Sequence, residues 1–176
     1  MSLTLETGSG VAGADAYASE AACTTYWSNR PHSTMATSWA AASVTQREGA
    51  IREATSYIDA VYGARFRGAR AGYVQGLEWP RSDALDDDGF ALPALPPQIV
   101  AACCELAARA IVSALAPDSE TNGQIKRVRA KVGQLEEETE FMDGTATTTP
   151  RYGFVDLLLG PVLTMPVGSA GSWGWR

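Results

Sequence analysis

Residues 95–116, LPPQIVAACCELAARAIVSALA, decide what kind of fold the chain can have. The run from Ile99 to Ala116 is the one stretch apolar enough to raise a membrane span. A span needs ~20 mostly apolar residues, and a charge at its centre is expensive. Here Glu105 and Arg109 interrupt the run, and Pro96-Pro97 opens it. The better reading is a buried helix. Pro97 suits its first turn, where a backbone N–H would be unpaired anyway. Glu105, Arg109 and Ser113 recur every fourth residue as a narrow polar stripe, and the rest is apolar. Such a helix must be surrounded by protein on most sides. It is either the central core helix or a helix packed on a neighbouring subunit.

Upstream, GLEWPRSDALDDDGFALPAL joins three signals: Trp79-Pro80-Arg81, an acidic knot, and the proline ladder that launches the helix. With Gly89 placed as the invariant glycine of a calcium loop, Asp86 and Asp88 fall on ligand positions. Positions 1 and 12 are then Ala84 and Leu95, so two ligands are missing. The knot reads as a solvated turn. The whole segment 64–95 is long and irregular, which in a compact domain marks a functional or docking loop. Within it Arg65, Arg67 and Arg70 have no acidic residue between Asp59 and Glu78 to neutralise them. They are candidates for phosphate or DNA contact. Pairing with Asp86 to Asp88, or with a neighbouring subunit, is the competing reading.

Nearer the N-terminus, Ser19 is a plausible cap for a helix running to about Asn29. RPHSTMATSW reads as a loop. Thr45 and Glu48 form a T-x-x-E capping box, and Ile51, Ala54, Ile58 and Val61 follow at helical spacing until Gly63. The opening MSLTLETGSG carries neither the basic nor the apolar region of a signal peptide.

Downstream, IKRVRAKVGQLEEETEF (125–141) alternates strictly. A two-residue turn at Gly133-Gln134 pairs residue 132 with 135. That register sets Lys131 against Glu136, Arg129 against Glu138 and Arg127 against Glu140. All three pairs are of opposite sign, each contributing roughly 0.2–1 kcal/mol. A basic run could be a nucleic-acid patch, but this one neutralises itself within its own hairpin, which should project. Phe154, Val155, Leu158 and Leu159 mark a last short helix, bent or ended by Gly160-Pro161. Residues 166–176, PVGSAGSWGWR, cannot pack alone, yet Trp173 and Trp175 would face one way on an extended strand. With Arg176 they form a candidate docking tail; folding back on the parent domain is the alternative.

The composition excludes several chemistries. The net charge of −6 gives no general attraction to nucleic acid or anionic membrane. Cys23, Cys103 and Cys104 are odd in number and read as free thiols of a reducing compartment. His32, the only histidine, has no Asp near it in sequence and there is no G-x-S-x-G; no phosphate-binding glycine loop occurs either. No catalytic set, metal or cofactor is expected.

The residues carry a resemblance. LTLETGSGVAGADAY, Trp39, the helix around Ile51 to Tyr62, Arg67-Gly68, QGLEWPR, Pro96-Pro97 with its helix, KVGQLEEE and VDLLLGPVL are similar to a bacteriophage family over residues 3 to about 163. It is the family of small head–tail connectors, or adaptors, often labelled "putative DnaT-like single-stranded DNA-binding protein". Its most specific element is Trp79-Pro80-Arg81, implied to anchor the long loop. The resemblance implies a ring of twelve copies under the portal protein, in the neck of the virion and built in the host cytoplasm. The ring extends the channel for packaged DNA and carries the next head-closure or tail-completion protein. The expected fold is mainly α: a small helical bundle over residues 1–165 with one projecting hairpin, a long irregular loop and extended arms, then the tail. The alternative takes the label literally, as a single-stranded DNA-binding replication protein.

Overall fold

A computed structural model describes residues 2–116, 125–131, 136–141 and 152–164. The fold is mainly helical, with five α-helices, two 3-10 turns and two two-stranded antiparallel sheets among the described residues, the longer one a hairpin. It divides into a helical unit, residues 1–115 with 152–176, and a hairpin unit, residues 116–151.

Helix α1 (Glu20–Ser28) starts where Ser19 accepts a hydrogen bond from the Ala22 N–H. Helix α2 (Thr34–Ala41) corrects the loop expected over 30–39. Ser33 caps it by accepting from the Met35 N–H, and Trp39 is its buried residue. Helix α3 (Val44–Tyr62) begins two residues before the expected box. Ser43, not Thr45, is the cap, and Gln46 answers at the third position. Both sequences fit the capping pattern; Ser43 accepts from the Gln46 N–H while the Gln46 side chain accepts from the Ser43 N–H, and Ile51, Ala54 and Ile58 follow on a fully buried face.

Helix α4 (Pro97–Val112) has Pro97 in its first turn. It contacts α1, α2 and α3 of its own chain, and α5 (Gly153–Leu159) as well. It is therefore the central helix of the bundle. Its buried face includes Ile99, Ala102, Cys103, Leu106 and Ala107, and small residues on that face let α3 approach closely. A fully buried Ile or Leu contributes roughly 1.5–3 kcal/mol. Even Glu105 is buried, because the Tyr26 hydroxyl donates to it at 2.7 Å and Arg109 at 2.5 Å. No helix among the described residues is long and apolar enough to cross a membrane.

Between α3 and α4 the chain forms a 3-10 turn (Gly63–Arg65) and a two-residue ladder, β1 (Ala69–Arg70) with β2 (Arg81–Ser82). Gly68 sits at φ +72, and a Cβ there would meet the Ser82 carbonyl oxygen at 2.2 Å. Only glycine fits this crossing. In the hairpin unit β3 (Ile125–Lys131) pairs with β4 (Glu136–Phe141). Lys131 lies opposite Glu136, Arg129 opposite Glu138 and Arg127 opposite Glu140, with a register shift between Ile125 and Arg127. The Gly133-Gln134 turn lies outside the described residues.

Candidate functional site

The long loop is the part of the helical unit with the most specific chemistry, and Trp79 fixes it. Its indole is fully buried, stacks edge-on against Phe66 at 5.7 Å and donates to the Ala94 carbonyl at 2.7 Å. The Trp79–Pro80 peptide bond is cis. Beside it, the Trp79 N–H donates to the Tyr17 hydroxyl, which itself donates to Asp59 at 2.5 Å. The other Asp59 oxygen accepts from the Glu78 N–H at 3.1 Å. Burial pushes the Asp59 pKa up to about 6, although both hydrogen bonds oppose the shift. Arg81 donates to the Gly68 and Arg67 carbonyls and pairs with Glu78 at 3.2 Å.

The three loop arginines do not converge on an open surface. Arg67 pairs with Asp87 and donates to the Leu85 and Leu163 carbonyls. Arg70 donates to the Gln75 carbonyl at 2.8 Å and lies 3.9 Å from Glu78. Arg65 has no side-chain partner among the described residues. Of the two readings left open by the sequence, Arg67 takes the pairing with the acidic knot, and Arg70 lies nearest Glu78. Asp87 is twenty residues from Arg67 in sequence, and folding brings them together.

The same holds for the other described arginines. Arg47 pairs with Glu20 at 2.7 Å, Arg52 with Asp15 at 2.7 Å and Arg109 with Glu105. Burial alone would raise the Asp15 pKa, but hydrogen bonds from Arg52 and the Thr4 N–H hold it below the ordinary carboxylate range. Arg30 lies over the Tyr26 ring at 3.6 Å and donates to the Tyr26 carbonyl.

The acidic knot is a tight turn. The Asp86 carboxylate accepts from the Asp88 and Phe90 N–H groups at 3.0 and 2.8 Å, and Leu85 bridges to Ala91. Phe90 stands 71% exposed beside it. The neighbouring loop 71–76 exposes Tyr73 fully and Val74 by 75%. His32 is an exposed residue between α1 and α2.

Two features were not anticipated from the sequence. Glu6 is buried, with Oε1 accepting from the Gly8 and Gly10 N–H groups at 2.8 and 3.0 Å and Oε2 from the Val11 N–H at 2.9 Å. The E-x-G-x-G-V spacing at residues 6–11 was its one legible signal. The second is a groove of about 400 Å3 between α1 and α2, lined by Trp27, Pro31, Ala36, Thr37, Ala40 and Arg47 among others. It became visible only once α2 existed as a helix. Among the described residues no cluster of His, Cys, Asp and Glu could hold a metal ion. Trp173, Trp175 and Arg176 lie outside the described residues, as do the side chains of Arg127, Arg129, Lys131, Glu136, Glu138 and Glu140.

A family model described as "Putative DnaT-like ssDNA binding protein" matches residues 1–174. The chain belongs to this family. The match extends beyond the 3-to-163 stretch on which the resemblance rested. No curated protein and no solved structure matches the chain.

Proposed function

We propose that this chain is a structural adaptor of a tailed bacteriophage, one subunit of a ring beneath the portal protein. The observation that carries the reading is where the charges go. Seven described arginines (30, 47, 52, 67, 70, 81 and 109) are engaged with carboxylates, carbonyls or a ring of their own chain, and the total charge is −6. Nonspecific single-strand binding relies on an open cationic groove with stacking aromatics. The chain's exposed large apolar side chains include Tyr73, Val74, Phe90 and Leu157. On this reading the protein is not an enzyme. Its partners are further copies of itself, the portal, the next head-closure or tail-completion protein and the DNA passing through the channel. Its place is the virion neck, reached from the host cytoplasm, and no membrane is involved. Trp173, Trp175 and Arg176 serve as the docking arm.

The family description favours a second reading, single-stranded DNA binding in replication, and the comparison speaks for that reading rather than for the adaptor. Arg65, free of a side-chain partner among the described residues, and the fully exposed Tyr73 are the residues it would use. One pair of measurements separates the two. The adaptor predicts co-purification with a portal protein, lost when residues 166–176 are removed, and negligible binding of a labelled oligothymidine near physiological salt. Tight, salt-sensitive oligothymidine binding abolished by Arg65→Ala and Tyr73→Ala would establish the second reading and overturn the first.

A further inference from the structure

We infer that the α1–α2 groove of one copy receives the Asp86–Phe90 turn of the next, so that copies associate head to tail; the inference rests on the ring reading above. The groove and the turn sit at opposite ends of α3. Arg47, in the first turn of α3, lines the groove. Arg67, five residues past the last residue of α3, holds the turn through Asp87 and the Leu85 carbonyl. Fifteen residues from Arg47 to Tyr62 at ~1.5 Å each put roughly 22 Å of helix between the two features. A patch at one end that fits a recess at the other makes a heterologous contact, which closes into a ring when the rotation allows.

The two surfaces also match chemically. The groove is mainly apolar and, at about 400 Å3, large enough for an aromatic ring. Phe90 offers that ring, 71% exposed, on a turn made rigid by the Asp86 carboxylate. Beside the groove rather than in its lining, Arg30 precedes the lining residue Pro31, rests over the Tyr26 ring and has no carboxylate partner among the described residues. Asp86 and Asp88 have no cationic partner among them. Complementary charge around an aromatic anchor steers register and orientation.

The test is the oligomeric state of the full chain by analytical ultracentrifugation across a wide concentration range. Thr37 and Phe90 are both exposed, so Thr37→Arg in the groove and Phe90→Glu on the turn should leave the fold intact, checked by circular dichroism. Each variant alone should sediment as a monomer where the wild type assembles. Mixed, they should form a one-to-one dimer and nothing larger, because one retains the recess and the other the turn. Arg30→Asp should weaken assembly tenfold or more, and adding Asp88→Arg should restore it. If both single variants assemble like wild type, or the mixture stays monomeric, the inference fails while the ring reading stands. If only the groove variant is defective, another segment occupies the groove and the inference also fails. A wild type that is monomeric throughout overturns both.

Discussion

Replacing Glu6 by Gln tests whether the N-terminal arm is held by a charge the chain supplies to itself. The carboxylate uses both oxygens, accepting from three backbone N–H groups within 3.0 Å. Gln has nearly the same shape but a single oxygen. With that oxygen kept on Gly8 and Gly10, its NH2 group faces the Val11 N–H, donor against donor. A buried N–H left without a partner costs about 1–3 kcal/mol. The two surviving bonds lose their charge assistance, and charged hydrogen bonds are roughly twice as strong as neutral ones. The sum is about 3 kcal/mol. For a chain of this size that lowers Tm by roughly 6–12 °C. Urea unfolding followed by tryptophan fluorescence gives the energy, and hydrogen exchange at Gly8, Gly10 and Val11 gives its location. A loss below about 0.5 kcal/mol with unchanged protection at those amides would refute the reasoning.

Three further outcomes follow from charges elsewhere. Arg109→Ala leaves Glu105, whose side chain is 6% exposed, with only the Tyr26 hydroxyl, and should cost about 2–4 kcal/mol by chemical denaturation; adding Glu105→Gln should recover part of it, and no recovery would remove the charge explanation. Burial raises the folded Asp59 pKa to about 6, above the ordinary 3.8, so its contribution to stability is fully present below pH 3.8 and is lost as pH rises through 6. Wild type should therefore gain on Asp59→Asn as pH falls from 7 to 4, and a difference that stays flat with pH would contradict this. In the hairpin, Arg129→Glu places like charges opposite each other at Glu138 and should cost roughly 0.2–1 kcal/mol. Adding Glu138→Arg should restore the loss, whereas additive losses in the double variant would deny the coupling.

Which parts were legible in the sequence follows from how far each signal reaches. Period-two alternation made the hairpin register readable, because a one-residue slip would set every charge on the wrong face. Pro97 and the stripe of α4 identified the central helix for the same local reason. The α2 helix was missed because Pro31 and four hydroxyl residues dominate a short segment, and the fully packed Trp39 outweighs them only in the folded bundle. Thr45 and Ser43 both fit a cap, and only the reciprocal bonds of Ser43 with Gln46 in the folded chain distinguish them. The loop arginines were left between two readings because their partners are remote in sequence. Nothing local connects Arg67 with Asp87 or with the Leu163 carbonyl. Glu6 drew no reading from the sequence, and its role becomes plain only where its own loop closes on it.

The three cysteines carry one more consequence. Cys23 and Cys104 meet across α1 and α4 with their sulfurs 2.9 Å apart, and Cys103 faces Thr55 on α3. None is more than 1% exposed. Their contact and burial hold the Cys23 thiol far above its usual pKa, and burial holds Cys103 at about 12. In the closed bundle all three are thus out of reach, and Cys23 and Cys103 are not nucleophilic either. An alkylating reagent can mark Cys23 only when α1 parts from α4, and Cys103 only when α3 does. The adducts gathered over time become a written record of which helix leaves first, kept by the protein without any added probe.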